Sequence, residues 1–188
     1  RAISLDGRTL LSGQVAALYL VRATSSLCST PVEMVEATLD GFVGDTHTGP
    51  TRKADARAPW HPKGTVIVND RQVSLVSEDE LVTIAERLEA PEIRPEWLGA
   101  NVCIRGVTGF STLPPMTRLQ FSGGVTLAIT AENHPCRGPA REVAAALGRD
   151  DIASRFVKQA MHLRGVVAMV ERAGRIQAGE TVTVVTPK

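Results

Sequence analysis

Cysteine is scarce in this sequence. The 188 residues include three, Cys28, Cys103 and Cys136, which lie far apart and form no Cys-x-x-Cys pair. No histidine follows them at the spacing of a zinc finger, so the pattern excludes a structural zinc site of that type as well as a disulfide framework. Unpaired cysteines are typical of a reducing compartment, and we therefore expect a cytoplasmic protein.

Net charge and long apolar runs are also lacking. Lysine and arginine total 21 and aspartate and glutamate total 20, which leaves a net charge of +1. So small a charge gives nucleic acid no general attraction, and an anionic ligand would have to be met by a local cluster. No apolar stretch approaches the roughly 20 residues that span a bilayer. Asp6, Arg8 and Gln14 interrupt the N-terminal segment, which is therefore unlike a signal sequence. We expect neither nucleic acid nor a membrane as a partner.

The chain shows no linker, repeat or low-complexity tract, and we expect a single domain over residues 1–188. Short apolar runs alternate with Gly, Pro and Asn-Asp turns, a pattern typical of a barrel or sandwich. We predict a mainly β (α+β) fold: a barrel-like antiparallel or mixed β core with about three flanking helices. The turns Ser122-Gly123-Gly124 and Asn69-Asp70 predict hairpins. The predicted strands are residues 14–22, 34–38, 65–68, 73–76, 101–105, 118–121, 125–130, 165–170 and 181–185.

Three helices are predicted from their caps and apolar faces. Ser77 and Glu80 form a capping box at the start of the first, in which each side chain bonds the backbone of the other. The second follows Pro139 and ends near Gly148. The third is capped by one of the adjacent aspartates at residues 150 and 151.

Cys136 lies between a predicted strand and a predicted helix start. Free backbone N–H groups and the positive end of the helix dipole favour its thiolate, as do Arg137, Arg141 and His134 nearby. A thiolate can attack a substrate, carry sulfur or bind a soft metal. The alternative is a small buried hydrophobic residue. The Pro, Arg and Gly neighbours indicate a loop and favour a functional cysteine.

A second polar segment contains Gly44, Asp45 and His47. Glycine here indicates an unusual backbone conformation or the close approach of a ligand. On an extended segment, the alternating spacing would point Asp45 and His47 into one pocket, where they could orient each other or a substrate. The alternative is an ordinary polar turn in which the aspartate bonds its own backbone.

Basic residues follow that segment. Arg52, Lys53, Arg57 and Lys63 could form a solvated charged face, or they could bind a phosphate-bearing ligand, since guanidinium and ammonium groups suit phosphate oxygens.

Five segments, in order and spanning most of the chain, resemble the MOSC family, named for the C-terminal domain of molybdenum-cofactor sulfurases. The resemblance implies a β-rich, barrel-like fold with flanking helices. It also implies that Cys136 either carries sulfur as a persulfide or ligates molybdenum in a bound pterin cofactor. The segments are Gly41-Phe42-Val43-Gly44-Asp45-Thr46-His47, Arg71-Gln72-Val73-Ser74-Leu75-Val76-Ser77-Glu78, Leu98-Gly99-Ala100-Asn101-Val102, Pro135-Cys136 and Arg164-Gly165-Val166-Val167-Ala168.

The resemblance suggests a molybdenum-cofactor (molybdopterin) enzyme that reduces N-hydroxylated small molecules, with Cys136 as metal ligand and catalytic residue. Asp45 and His47 are the other candidate catalytic residues. Cofactor binding is assigned to Cys136 and to the set Gly44, Asn101 and Arg164. Arg164 is either an anion contact or a surface charge.

Two rival functions remain open. The first is a non-catalytic cofactor or sulfur carrier that uses Cys136 as its persulfide site. Its sulfur would come from a partner protein, which alone would bind pyridoxal phosphate, because this chain is too short to hold an aminotransferase-like domain as well. The second is a cysteine hydrolase that pairs Cys136 with a histidine. A reductase would need an external electron donor, since the sequence has no ferredoxin-type cysteine run.

Overall fold

The computed structural model of the chain describes residues 3–5, 7–23 and 25–188. These residues form fourteen strands, three α-helices and the short 3-10 helices Pro95–Leu98 and Phe110–Thr112. The helices are α1 (Glu78–Leu88), α2 (Arg137–Leu147) and α3 (Asp150–Gln159). The strands are β1 (Ile3–Leu5), β2 (Arg8–Leu20), β3 (Thr30–Val32), β4 (Met34–Thr38), β5 (Gly41–Phe42), β6 (Thr51–Lys53), β7 (Val66–Val68), β8 (Val73–Ser77), β9 (Val102–Arg105), β10 (Arg118–Phe121), β11 (Thr126–Glu132), β12 (Val166–Arg172), β13 (Gly174–Gln177) and β14 (Thr181–Val185).

Seven strands close into a barrel. Their order is β2-β14-β10-β11-β12-β8-β9, and β9 pairs again with β2. Each pairing is antiparallel except that of β8 with β9, which is parallel and needs the crossover that α1 provides. The remaining strands pair with β2 or form two small sheets, β13-β4-β5 and β6-β7. The prediction of a mainly β, barrel-like fold with three flanking helices is confirmed.

Two apolar cores hold the layers together. One fills the barrel, and the other lies between the barrel wall and the three helices. Strand β9 contributes to both cores, because its side chains alternate between its two faces. Val102 and Ile104 point into the barrel, and Cys103 packs against the helices. Each fully buried aliphatic side chain contributes about 1.5–3 kcal/mol. The site described below is therefore supported by a rigid wall.

Most strands lie where the sequence predicts them, and three have the predicted bounds: β4, β10 and β14. The predicted strands do not include β1, β3, β5, β6 and β13. Among those predicted, β2 differs most, since it begins at Arg8 rather than residue 14 and ends at Leu20 rather than residue 22. Its first half pairs with β14 and β1, where polar residues hide the apolar pattern. It ends early because the N–H of Val21 turns to the carboxylate of Asp45.

The two predicted hairpins have different outcomes. Ser122-Gly123-Gly124 joins the antiparallel pair β10 and β11, and Gly124 has the positive φ of 98° that such a turn needs. The prediction for Asn69-Asp70 is wrong, because β7 pairs with β6 while β8 joins the barrel. The Asn69 side chain instead donates to the carbonyls of His47 and Gly49, so its contacts are non-local.

The helix caps also differ in part from the prediction. Ser77 caps α1 by accepting from the N–H of Glu80, but Glu80 does not return the bond. Its buried carboxylate accepts from the backbone N–H and hydroxyl of Ser111 instead. The cap of α3 is Arg149 and not an aspartate, because Arg149 and Arg155 engage the Asp151 carboxylate. Among the described residues, no helix has the length and apolarity to cross a membrane.

Candidate functional site

A cleft of about 980 Å³ opens beside the barrel. Its volume lies at the upper end of the range for small-molecule and cofactor sites. Its walls are the turn after β5, the β6-β7 hairpin, the start of β8 and the segment that joins β11 to α2. Cys136, His47 and Arg164 line it, together with the basic residues Arg52, Lys53, Arg57 and Arg71.

Cys136 is exposed at this cleft and is the N-cap residue of α2. The helix begins at Arg137, two residues before the predicted start at Pro139. Proline is tolerated in the first turn because its missing N–H would have no intrahelical acceptor there. The first helical bond runs from the N–H of Ala140 to the carbonyl of Cys136, at 3.3 Å. The thiol makes no hydrogen bond to any described residue, so none of the described histidines is bonded to it.

The other two cysteines are less accessible and less readily ionised. Cys103 is 3% exposed, and burial raises the pKa of its thiol to about 12, with Glu78 and Glu96 adding to the effect. Cys28 is half-buried, and burial raises its pKa too; its thiol donates to the Glu142 carboxylate at 3.4 Å. Both thiols are therefore held in the unreactive protonated form.

We expect iodoacetamide to alkylate Cys136 first, Cys28 next and Cys103 last. At neutral pH the Cys103 thiol should react at least about 100-fold more slowly than an unperturbed exposed thiol, because so little of it is ionised. Single-cysteine variants, followed by mass spectrometry over a range of pH, measure the order. Faster modification of Cys28 or Cys103 would contradict it.

Asp45 and His47 lie on a turn and not on the extended segment predicted as one possibility. The Asp45 side chain is fully buried behind the cleft, whereas His47 is half-exposed and lines it. One carboxylate oxygen accepts from the backbone N–H and from Nδ1 of His47, both at 2.8 Å. Burial alone would raise the pKa of Asp45, but the bonds from His47 and Val21 lower it below its ordinary value. Because an ionised carboxylate only accepts, Nδ1 must donate, and Nε2 of His47 is left free.

Neither Asn101 nor Gly44 lines the cleft: Asn101 is buried behind it, and Gly44 is exposed outside it. Asn101 is fully buried, and its amide donates to the second Asp45 oxygen at 2.7 Å and accepts from the N–H of Ser74. Gly44 has a φ of 84°, which fits the turn. Asn101 holds the Asp45 carboxylate that in turn holds His47.

We expect Asp45→Asn to lower the free energy of unfolding by about 2–3 kcal/mol. The buried carboxylate accepts from Val21, His47 and Asn101, and an amide would turn an NH₂ group toward some of these donors. Asp40→Asn, an exposed neighbour, should change it by less than about 0.5 kcal/mol. Urea unfolding of both variants measures the difference.

The Asp45 contribution should depend on pH. Because folding lowers the pKa of Asp45, the stabilisation is present in full above the pKa of the unfolded chain. This stabilisation should disappear as the pH falls through the lower pKa that Asp45 has in the folded protein. There the free energies of unfolding of wild type and Asp45→Asn should become equal. A constant gap between the two down to that pH would show that the carboxylate charge does not matter.

Arg164 is buried, with 5% of its surface exposed, so the surface-charge alternative is wrong. Its Nη2 donates to the carbonyl of Leu98 at 2.7 Å. Its Nε and Nη1 are buried without a partner among the described residues. Burial lowers the pKa of Arg164 to about 10, while Cys136 acts in the opposite direction. A charged guanidinium with two unused donors thus adjoins the Cys136 side of the cleft.

Gly165 and Ser111 fix the backbone next to Arg164. Gly165 has a φ of 100°, and a Cβ at this position would lie 1.9 Å from the carbonyl oxygen of Leu75. Its N–H donates to the Ser111 hydroxyl at 2.6 Å, and that hydroxyl donates to the buried Glu80 carboxylate. The sequence gives no signal for this chain of bonds, because its members are brought together by the barrel.

Arg71 is a site residue that the sequence analysis did not identify. Its guanidinium is partly buried and donates to the side chain of Asn133 at 2.8 Å. Burial lowers the pKa of Arg71 to about 10, and Arg57 adds to the effect. Its position two residues before a strand, like that of Arg164, is the one sequence feature that could have marked it.

The lining of the cleft carries an excess of positive charge. Five cationic side chains line it, against two carboxylates, Asp55 and Glu132. Arg52 donates to Asp70 and Arg57 to Asp55, but Nη1 of Arg52 is buried without a hydrogen-bond partner among the described residues. Lys63 is not among the lining residues. The arrangement suits an anionic ligand, which a chain of net charge +1 could attract only locally.

Comparisons with known proteins agree with this architecture. A sequence profile of the MOSC domain matches residues 44–183. YuaD of Bacillus subtilis, a protein named for metal-sulfur cluster biosynthesis, is 35% identical over 175 residues, which cover 93% of this chain and 91% of YuaD. The YuaD crystal structure matches with a TM-score of 0.92 at 34% identity, covering 96% of this chain and all of that one. YiiM of Escherichia coli shares the fold, with a TM-score of 0.61 at 13% identity over 95% of this chain and 71% of YiiM.

Proposed function

Because the chain belongs to the MOSC domain family, we propose that its cleft binds a molybdenum cofactor and that the protein reduces N-hydroxylated small molecules. One observation carries the proposal: an exposed thiol, Cys136, shares a cleft with a buried, incompletely paired guanidinium, Arg164. A thiolate is a ligand that soft transition metals select. A buried guanidinium with two unused donors is costly unless an anion binds it.

The residues of the cleft fit the cofactor. Cys136 would ligate the metal, and the anionic groups of the pterin would bind Arg164, Arg71 and Nη1 of Arg52, which lies 3.9 Å from Asp55 but makes no hydrogen bond. The volume of about 980 Å³ leaves room for a small substrate as well. When bound, the cofactor supplies a redox-active metal centre.

His47 is suited to handle a proton. Reduction of an N-hydroxyl group to an amine breaks the N–O bond, consumes two electrons and two protons, and releases water. Asp45 holds Nδ1 of His47 as a donor, so Nε2 would be the nitrogen that exchanges a proton with a substrate in the cleft that His47 lines. Asp45 and Asn101 are positioning residues in this scheme. The electrons come from an external redox protein, since the chain has no ferredoxin-type cysteine run.

The test uses protein made in a host that synthesises the cofactor. Molybdenum and pterin should each approach one equivalent per chain, and the loaded protein should reduce a benzamidoxime to its amidine with an artificial electron donor. Loading without turnover of any N-hydroxylated compound would reject the reductase, and absence of both molybdenum and pterin would reject cofactor binding.

A persulfide carrier is the second candidate. The exposed Cys136 sulfur, free of hydrogen bonds to the described residues, supports it, since such a sulfur is open to a donor protein. Pyridoxal phosphate would then belong to that donor alone. Labelled sulfide released from Cys136 on reduction, without turnover, would favour the carrier over the reductase.

A further inference from the structure

A second cleft lies between the outer face of the barrel and α1 and shares no lining residue with the first. Its volume is about 340 Å³, within the range of small-molecule sites. Ala16, Ala17, Tyr19 and Cys103 form its floor on the outer face of the barrel, and α1 and residues 90–95 form its walls.

The floor contains a polar group, on an otherwise buried side chain, that makes no hydrogen bond within the described residues. Tyr19, the only tyrosine of the chain, is 6% exposed, and its hydroxyl makes no hydrogen bond to any described residue. The ring is packed into the barrel wall, and the hydroxyl is not among the buried atoms that lack a partner, so it is open to the cleft. Burial raises the pKa of Tyr19 and of the neighbouring Cys103, so both are neutral and neither acts as a nucleophile. The hydroxyl remains available to a ligand.

The charge around this floor is negative. Glu78 and Glu86 lie eight residues apart on α1, with exposed Val82 between them on the same helix face. Neither carboxylate forms an ion pair with a described residue. The cationic residue of the lining, Arg94, is held by Glu92 at 2.6 Å and lies over the Trp97 ring. Glu78 acts on both floor groups, since it raises the pKa of Tyr19 and of Cys103.

We propose that this second cleft is a binding site for a small organic cation with an apolar body. An ammonium or amidinium group would donate to the Tyr19 oxygen and the Glu78 carboxylate, while the apolar body packs on Val82, Ile93 and the alanine floor. The inference does not depend on the proposed function, because no residue of the first cleft takes part.

Tyr19 provides a direct test. Protein grown with 3-fluorotyrosine carries one ¹⁹F label, at the floor of the cleft. Benzamidine should move this resonance in a saturable way, with a midpoint that rises with added salt. Benzamide, a neutral analogue of the same shape, should bind at least about ten-fold more weakly. An equal response to benzamide, or no saturable response to benzamidine, would overturn the proposal.

Two variants locate the charge and the hydroxyl. Glu78→Gln should weaken benzamidine binding about three- to ten-fold, whereas Glu36→Gln, which removes the same charge from β4, should leave it unchanged. Tyr19→Phe should melt at the wild-type temperature, because the hydroxyl has no protein partner to lose. It should nevertheless lose most of the benzamidine-induced rise in melting temperature. Equal responses of the Glu78 and Glu36 variants would reject Glu78 as the contact.

Discussion

Replacement of Cys136 by serine is expected to abolish reduction of N-hydroxylated substrates and to leave the protein as stable as before or slightly more so. A serine hydroxyl replaces a thiolate poorly as a ligand for a soft metal, so turnover should fall below detection. Stability should not suffer, because Cys136 is exposed and its sulfur makes no hydrogen bond to a described residue.

The Cys136→Ser substitution is expected to raise the free energy of unfolding slightly. Cys136 is the N-cap of α2 but makes no capping bond, whereas serine is a favoured N-cap that can accept from the N–H of Gly138. A gain of up to about 1 kcal/mol would raise the melting temperature by about 2–4 °C. Cys28→Ser is the control, since Cys28 lies away from the cleft lining, and it should retain turnover. A large drop in melting temperature would show that the Cys136 thiol belongs to the core, and retained turnover would show that it is not the ligand.

Arg164→Met is expected to weaken cofactor retention about 100-fold without unfolding the protein. The loss of a buried, charge-assisted contact to an anion costs about 2–5 kcal/mol, and the lower part of that range corresponds to this factor. Methionine fills a similar volume without a charge. Replacing a buried, partly unpaired charge by an apolar group costs little stability and often adds some. We therefore expect the melting temperature to stay the same or rise.

The measurement for Arg164→Met is the molybdenum and pterin that remain bound after serial dilution and gel filtration, so it needs no assay of activity. Arg57→Met is the matched control. Arg57 lines the same cleft but is exposed and already paired with Asp55. Its replacement should therefore weaken cofactor retention by less than about five-fold. Arg164→Lys should also lose cofactor, since a single ammonium cannot supply the Nε and Nη1 donors together. Equal losses in the Arg164 and Arg57 variants would show that only the general positive charge matters.

Local patterns were enough to predict several parts of the fold. The bounds of β4, β10 and β14 follow from period-two alternation between turn residues, and the position of Cys136 follows from a strand, a loop and a helix start in sequence. These features depend on neighbours within a few residues. The first half of β2 could not be predicted, because its own residues lack a clear apolar alternation and pairing with β14 holds it as a strand.

The contacts that build the site are mostly non-local, which is why the sequence indicated its residues but not their roles. Asp45 looked like a candidate for contact with substrate, yet it is buried by Val21 and Asn101, which are distant along the chain. Glu80 was predicted to complete a capping box with Ser77, but its carboxylate accepts from the backbone N–H of Ser111 instead. Arg164 is buried as a consequence of barrel closure, and closure of the barrel cannot be predicted from a local sequence pattern.

The pairing of β2 with β14 has a consequence for how the chain folds. These strands are neighbours in the barrel although nearly the whole described chain separates them. Folding that depends on such distant contacts is slow, because the entropy of closing a long loop is lost before the contacts form. During synthesis, the barrel cannot close until Thr181–Val185 has left the ribosome. Until then, the apolar inner faces of the earlier strands stay open to chaperones and to aggregation.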